Sequence, residues 1–145
     1  YKLLNNNIMY PEQMTKPMAQ ELENAGFESL KSAQEVADIL DKKDGTTFVV
    51  INSVCGCAAA NARPAAIMAV KNEKHPDHLI TVFAGVDREA VDKTRSYTFP
   101  FPPSSPSMAV FKDGKLVHML ERHQIEGKPA QLIAGNLIAA FEEFC

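Results

Sequence analysis

Residues 46–51, TTFVVI, form an uninterrupted run of β-branched and aromatic residues with no polar face. This composition is typical of a central strand that is covered on both sides. A second such run, LITVFA at residues 79–84, follows an alanine-rich segment at residues 58–71 that is predicted to be a helix. Because strand–helix–strand units are parallel with a right-handed crossover, the sequence predicts the core of an α/β sheet.

The residues upstream of this unit predict two helices and a short strand. Met14, Met18 and Leu22 form an apolar stripe with a spacing of four, which indicates a helix at residues 11–24. Residues 27–30 alternate between apolar and polar and predict a small edge strand. A second helix is predicted to follow, and the sequence Ser-Ala-Gln-Glu at residues 32–35 is the capping box that would open it.

The residues downstream predict a hairpin between two helices. The dipeptide Asp113-Gly114 is a strong signal for a tight hairpin turn. The predicted elements are a helix capped by Asp87 that ends near Arg95, strands at residues 108–111 and 116–120, and a long helix at residues 129–144.

These elements predict one three-layer α/β domain at residues 9–145. Its mixed central sheet would consist of a βαβ unit and a ββα unit, preceded by an N-terminal helical extension. Residues 1–8 are expected to be an upstream extension or a cloning remnant. Pro64 is predicted to kink the helix after the first central strand, because proline lacks the N–H donor that the helix requires.

The composition excludes several classes of function. The chain has 145 residues, of which 46% are hydrophobic and 23% charged, and its formal net charge is −3. A basic nucleic-acid or membrane surface is not expected from this charge, and no apolar run approaches the ~18 residues of a membrane span. The N-terminus does not resemble a secretory signal, and the three cysteines are an odd number. We therefore expect a cytoplasmic protein.

Two of the three cysteines flank a single glycine directly after the first central strand. A helix beginning after residue 54 would place Cys55 in its first turn, where free amides and the helix dipole favour an anion. The pKa of the Cys55 thiol is therefore predicted to fall below the free value of about 8.5. Because the thiolate attacks disulfides, Cys55 is a candidate nucleophile.

Cys57 is close enough to form a disulfide with Cys55. Cysteines at i and i+2 can bring their Cα atoms within the ~4.4–6.8 Å that a disulfide tolerates, with some strain. Gly56 is expected to help, since it has no Cβ to obstruct the bend. A strained disulfide is easily reduced, so the pair is predicted to cycle between dithiol and disulfide.

Two other interpretations of the cysteine pair stay open. Cysteines are often buried, so both could be inert core residues. They could also bind a metal, but a closed zinc site needs four ligands and the chain offers no second cysteine pair. His75 and His78 lack a zinc-binding spacing and are interpreted as part of a polar loop. We favour redox chemistry and expect no metal.

Cys145 and Arg63 are weaker candidates. Cys145 is the last residue, so it is expected to be an exposed thiol with no role, although a resolving or dimer-linking function is conceivable. Arg63 lies eight residues after Cys55. It could favour a thiolate or an anionic substrate if the Pro64 kink brings it near, and is otherwise expected to be a solvated surface charge.

Four segments of the sequence resemble known proteins. The redox turn after a central strand, the proline in the next helix and Ser105-Pro106 before the last hairpin resemble the thioredoxin fold. Residues 9–14 (MYPEQM), 52–58 (NSVCGCA) and 62–66 (ARPAA) more closely resemble the bacilliredoxin family, thioredoxin-like proteins with a C-G-C motif.

The resemblance implies a thiol–disulfide oxidoreductase that removes bacillithiol from mixed disulfides of client proteins. Cys55 would take the bacillithiol onto itself, and either Cys57 or a second low-molecular-weight thiol would clear it. Pro106 matches the cis-proline of the family, so Ser105 and Pro106, together with Arg63, are the predicted substrate-binding residues. No cofactor is implied beyond a thiol co-substrate such as bacillithiol.

The sequence departs from ordinary thioredoxins in its redox turn. The motif is C-x-C, and Val54 stands where thioredoxins have Trp. Asn52, Ser53 and Gly56 are the residues predicted to support this turn. No residue clearly matches the buried acid that assists the second cysteine in thioredoxins, so resolution by Cys57 is the least supported step.

Three alternatives to this function remain from the sequence. The protein could be a general disulfide reductase or isomerase. It could bind a metal through Cys55 and Cys57. It could also be a thioredoxin-like adaptor with inert cysteines, whose proline-rich segment at residues 99–106 docks a partner. The oligomeric state does not follow from the sequence.

Overall fold

The computed structural model describes residues 2–4 and 7–145, with side chains from residue 9 onward. The strands are β1 (Lys2–Leu4), β2 (Asn7–Met9), β3 (Glu28–Ser29), β4 (Thr46–Asn52), β5 (His78–Phe83), β6 (Ser107–Lys112) and β7 (Lys115–Leu120). The helices are α1 (Glu12–Glu23), α2 (Ala33–Leu40), a π-helical turn (Ala58–Ala62), α3 (Arg63–Ala69), α4 (Arg88–Tyr97), α5 (Arg122–Ile125) and α6 (Ala130–Phe144).

The central sheet has the strand order β3-β5-β4-β6-β7. Strands β3, β5 and β4 are parallel, and β6 and β7 continue the sheet antiparallel. The βαβ unit and the closing hairpin are therefore confirmed, with β4 at the centre. All seven residues of β4 are buried, which confirms the prediction made from the β-branched and aromatic run at residues 46–51.

Helices cover both faces of this sheet. Phe48 and Val50 belong to one hydrophobic cluster with residues of α1, α3 and α6, whereas Val49 and Ile51 belong to another with residues of α2 and α4. This division follows from the alternation of side chains along a strand. Each fully buried side chain of this size contributes about 1.5–3 kcal/mol, so β4 anchors both layers of the core. The predicted three-layer α/β architecture is confirmed.

The predicted turns and caps agree with the structure at two places. Ser32 Oγ accepts a hydrogen bond from the Glu35 N–H at 3.1 Å, and Glu35 Oε1 accepts one from the Ser32 N–H at 3.1 Å, which is the capping box. Asp113 and Gly114 have φ values of 51° and 80°, the left-handed conformation that a two-residue hairpin requires.

The helix after β4 bends where the sequence predicted a kink, but by a different geometry. The N–H of Arg63 bonds to the Ala58 carbonyl five residues back, so the turn before Pro64 is wider than an α-helix. Proline clashes with the carbonyl four residues before it, and a wide turn relieves that clash. Pro64 itself lies in the first turn of α3, where its missing donor costs little.

Two local predictions need correction, and two features of the structure were not predicted. Asp87 precedes α4 but makes no side-chain cap, because its carboxylate accepts from the Phe83 N–H and from Lys31. His78 begins β5 and does not belong to a polar loop. Helix α5 was not predicted. Strands β1 and β2 form a separate antiparallel pair within and beside the segment interpreted as an extension, of which residues 1, 5 and 6 lie outside the described residues.

In the part of the chain described here, no helix combines the length and the apolar character that crossing a membrane requires.

Candidate active site

The candidate site lies at the edge of the sheet where β4 and β5 end and β6 begins. Cys55 lies three residues after the end of β4, and Gly85 lies two residues after the end of β5. Because β6 is antiparallel, its first residue Ser107 pairs with Ile51, and Ser105-Pro106 therefore enters the same edge. Three loops that are distant in sequence thus meet around Cys55, at the usual ligand-binding edge of α/β sheets.

Cys55 and Cys57 form a disulfide with a Cα–Cα separation of 5.4 Å. This separation lies inside the range predicted for the pair. Both residues are half-buried, so the interpretation as inert core cysteines is not supported.

Cys55 stands at the start of the helical segment that continues into α3. Its carbonyl accepts hydrogen bonds from the amides of Ala58 and Ala59 at 3.0 and 3.2 Å. Cys55 is thus the N-cap of the helix, which begins one residue later than predicted. The first amides of a helix have no acceptor within it, so a Cys55 thiolate would face this positive end.

The turn before Cys55 is held by Asn52 and Ser53, which are both buried. The Ser53 N–H donates to Asn52 Oδ1 at 2.8 Å, and the Cys55 N–H donates to Ser53 Oγ at 3.4 Å. The Asn52 amide also donates to the Met18 carbonyl on α1 at 3.3 Å. These contacts fix the path of the backbone from β4 into the cysteine pair.

Arg63 lies beneath this turn and is only 2% exposed. Its Nη1 donates to Asn52 Oδ1 at 2.9 Å and to the Ser53 carbonyl at 2.8 Å, while its Nε forms an ion pair with Glu21 at 3.2 Å. The expectation that Arg63 is a solvated surface charge is wrong, because the turn supplies buried acceptors for it. Its predicted contact with substrate stays a prediction, and the guanidinium as placed supports the turn.

Gly56 is exposed and helical, and it has no unusual φ angle. A Cβ built on it would meet no described atom within 4 Å. The expectation that Gly56 helps the bend by lacking a Cβ is therefore not supported, because a Cβ at this position would obstruct nothing.

The Ser105–Pro106 peptide bond is cis, as the resemblance implied, and Pro106 is buried. Arg122, at the start of α5, holds this loop through a hydrogen bond from Nη1 to the Ser105 carbonyl at 3.2 Å. No sequence pattern indicated this contact, because it depends on helix α5, which was not predicted. A second cis bond, Phe99–Pro100, occurs in the proline-rich segment, where the Phe99 side chain is 80% exposed.

A cleft of about 400 Å³ opens beside Cys55. It is lined by Met9, Tyr10, Ser53, Val54, Cys55, Ala84, Gly85, Arg88, Val91, Asp92, Arg95, Ser105 and Arg122. Of the predicted site residues it brings together Ser53, Cys55 and Ser105. Arg63 and Cys57 do not line it. Sequence reasoning missed the arginines of this cleft, because they come from two helices that only the fold brings together.

Cys145 lies at the opposite end of the sheet. Its thiol interacts with Thr46, the first residue of β4, whereas Cys55 follows the last. A strand of seven residues spans roughly 20 Å, so Cys145 cannot resolve a mixed disulfide on Cys55 in the same molecule. Cys145 is an exposed free thiol, as expected, and partial burial of its sulfur raises the pKa of this thiol.

No cluster of three or more His, Cys, Asp or Glu side chains suited to a metal ion occurs among residues 9–145. The metal-binding alternative therefore has no third protein ligand in this region to join Cys55 and Cys57.

Solved structures confirm the fold. A protein described as having a thioredoxin fold superposes with a TM-score of 0.60 over 79% of this chain and 91% of its own, at 19% identity. Thioredoxin from Fasciola hepatica superposes with a TM-score of 0.54 over 82% of this chain and 100% of its own, at 14% identity. The architecture defines a protein of the thioredoxin fold, with a disulfide-forming Cys-Gly-Cys turn after its central strand.

Sequence comparisons give the family. The model of a family described as disulphide isomerase matches residues 10–145. A bacilliredoxin of Cytophaga hutchinsonii is 56% identical over 93% of this chain and 99% of its own length, and one of Bacillus licheniformis is 53% identical over 94% and 95%. The chain belongs to the bacilliredoxin family.

Proposed function

We propose that the protein removes bacillithiol from mixed disulfides on client proteins, with Cys55 as the nucleophile. The observation that carries this proposal is the position of Cys55. It is half-buried, it caps a helix N-terminus, and it is the cysteine of the pair that lines the cleft. A thiolate there is stabilised by the helix and remains open to attack a disulfide.

In the first step the Cys55 thiolate attacks the bacillithiol sulfur of a client mixed disulfide. The bond between client and bacillithiol sulfurs breaks as the bond between Cys55 and bacillithiol forms. The client thiolate leaves and takes a proton from water. No net oxidation occurs, because one disulfide replaces another.

Cys57 supports a second step. Its thiolate attacks Cys55, releasing bacillithiol as a thiolate and forming the Cys55–Cys57 disulfide, which matches the pairing in the structure. Two equivalents of a thiol reductant then return the pair to the dithiol. Alternatively, a second low-molecular-weight thiol clears the adduct directly as a symmetric disulfide. In either route the clients and thiols are the partners, and the proposed compartment is the cytoplasm.

The experiment uses a client carrying bacillithiol and the same client carrying glutathione. The reduced protein, with Cys145→Ser to remove the distant thiol, is compared with the same protein carrying Cys57→Ser. We expect the Cys57→Ser protein to accumulate one bacillithiol on Cys55, located by mass spectrometry, and to react faster with the bacillithiol client than with the glutathione client.

Equal rates with the two clients would support the second candidate, a general disulfide reductase or isomerase, which the description of the matching family favours. Failure of Cys55 to form any adduct would contradict both functions. The adaptor and metal alternatives would then remain.

A further inference from the structure

Three arginines converge on the cleft beside Cys55. Arg88 and Arg95 extend from α4, and Arg122 extends from the start of α5. Arg88 and Arg95 are seven residues apart, about two turns, so they lie on one side of α4. Asp92 is the carboxylate that lines the same cleft. Among the residues whose side chains the structure describes, the lining therefore carries three formal positive charges and one negative charge next to the candidate nucleophile.

The partners of these arginines differ. Arg122 is committed to the protein, since it pairs with Glu126 at 3.0 Å and donates to the Ser105 carbonyl. Within the described ranges, neither Arg88 nor Arg95 lies within 4 Å of a carboxylate oxygen. These two guanidinium groups are therefore available to a ligand in a way that Arg122 is not.

Arg95 has a further feature that points to a ligand. Its Nε is buried, and it is the one buried side-chain nitrogen or oxygen of the described residues without a hydrogen-bond partner. Burial lowers the pKa of Arg95, and the nearby charge of Asp92 opposes this effect only in part. A desolvated donor without an acceptor is costly, and turning this guanidinium toward a carboxylate in the cleft would supply both charge and acceptor.

We infer that Arg88 and Arg95 form an anion subsite that binds the carboxylates of the low-molecular-weight thiol while its sulfur lies at Cys55. This inference deepens the proposed function and rests on it for the identity of the thiol, because bacillithiol carries carboxylates on its malate moiety. Guanidinium groups suit this role, since they bind carboxylates through paired, charge-assisted hydrogen bonds. Arg122 positions the Ser105 loop, which also lines the cleft.

The first test measures the rate at which Cys55 reacts with small disulfides of different charge. The reduced protein carrying Cys57→Ser and Cys145→Ser is mixed with dithiodipropionate, hydroxyethyl disulfide or cystamine, which are anionic, neutral and cationic. We expect the anionic disulfide to react about tenfold faster than the neutral one at low salt, with the advantage falling as salt is added.

Matched variants assign that advantage to the cleft. Arg88→Gln and Arg95→Gln should each lower the ratio of the dithiodipropionate rate to the hydroxyethyl disulfide rate about threefold, because this ratio cancels any change in the reactivity of Cys55 itself. Lys93→Gln is the control, because it removes one charge from the same helix at a side chain that lies over the Tyr97 ring and outside the cleft. An equal loss in all three variants would show only the overall field of the protein and would overturn the subsite.

A second measurement does not depend on any reaction. The oxidised wild-type protein is titrated with malate while the arginine Nε–Hε signals are followed by NMR. We expect the signals of Arg88 and Arg95 to shift saturably and to do so equally in the Lys93→Gln variant. Absence of a saturable shift would overturn the inference.

The two proposals fail in different ways. If charge preference and malate binding hold but oxidised bacillithiol reacts no faster than dithiodipropionate, the anion subsite stands and the specificity for bacillithiol fails. If oxidised bacillithiol reacts fastest but charge has no effect on the small disulfides, the proposed function stands and the subsite fails.

Discussion

Cys55 and Cys145 are the same residue type at opposite ends of β4, in opposite electrostatic settings. Cys55 caps the start of a helix and lines a cleft, whereas Cys145 follows the end of α6 and its amide bonds to the Phe141 carbonyl. A helix is positive at its start and negative at its end, so it stabilises a thiolate in the first position and disfavours one in the second. Burial further raises the pKa of Cys145.

The reactivity of each cysteine thiol is therefore set by its position in the fold. The Cys55 end of the sheet also has a buried arginine beneath its turn, a partner cysteine and an open cleft. At the Cys145 end, Thr46 and Asp77 form hydrogen bonds with each other between side chain and backbone. Cys145 is a free cysteine, so its thiol has no second sulfur with which to form a disulfide. Substitutions at one end of the sheet that leave the other end intact therefore test this difference between Cys55 and Cys145.

The largest expected effect is the loss of thiol–disulfide exchange on replacing Cys55. Cys55→Ser should lower the rate of adduct formation with a small disulfide by at least about a thousandfold, because a serine hydroxyl is not ionised at neutral pH. Cys145→Ser is the matched change at the other end and should leave the rate within about twofold. A comparable loss in both variants would contradict the assignment of the nucleophile.

The next largest effect concerns the buried arginine beneath the turn. Arg63→Met should lower the free energy of unfolding by about 2–3 kcal/mol, because the Ser53 carbonyl and Asn52 Oδ1 lose a buried donor. Lys74→Met, which removes an exposed cation at the Cys145 end, should change it by less than about 0.5 kcal/mol. Urea denaturation of the oxidised proteins measures both, and equal effects would contradict a supporting role for Arg63.

Two glycines give a smaller contrast of opposite sign. Gly114→Ala should lower the free energy of unfolding by about 1 kcal/mol, because Gly114 has a φ of 80° that alanine adopts only with strain. Gly56→Ala should raise it by about 0.5 kcal/mol, because the added methyl group meets nothing and alanine favours the helix. Thermal denaturation of both variants tests this, and destabilisation by Gly56→Ala would show a constraint that the structure lacks.

The smallest effect is the pH dependence of Cys145. A raised pKa leaves less thiolate at neutral pH than in an unfolded chain, so alkylation of Cys145 should be several-fold slower in the native protein than in urea. The difference should shrink as pH rises through the native pKa, where both states are ionised. The Cys55→Ser, Cys57→Ser variant isolates this thiol, and native alkylation as fast as in urea would contradict the shift.

Features determined by local sequence could be predicted. The apolar run of β4, the capping box at Ser32 and the Asp113-Gly114 turn each depend on neighbouring residues, and all three are confirmed. The position of Cys55 at a helix start follows from the same local pattern. The predicted first residue of that helix was wrong by a single residue.

Features determined by distant contacts could not be predicted in the same way. Arg63 is buried because Glu21 and the β4 turn, 42 and about ten residues away in sequence, supply its partners. The arginines of the cleft are separated by up to 34 residues, from Arg88 to Arg122, and meet only through the fold. An isolated arginine in the sequence is indistinguishable from a solvated surface charge, which is why Arg63 was misassigned.

The most direct test of the central claim is a pH titration of the Cys55 thiol in the reduced Cys57→Ser, Cys145→Ser protein, followed by the ultraviolet absorbance of the thiolate. We expect Cys55 to ionise at a lower pH than the same cysteine in the urea-unfolded protein, because the helix N-terminus stabilises its anion. Ionisation at the same pH in both states, or at a higher pH in the folded protein, would contradict it.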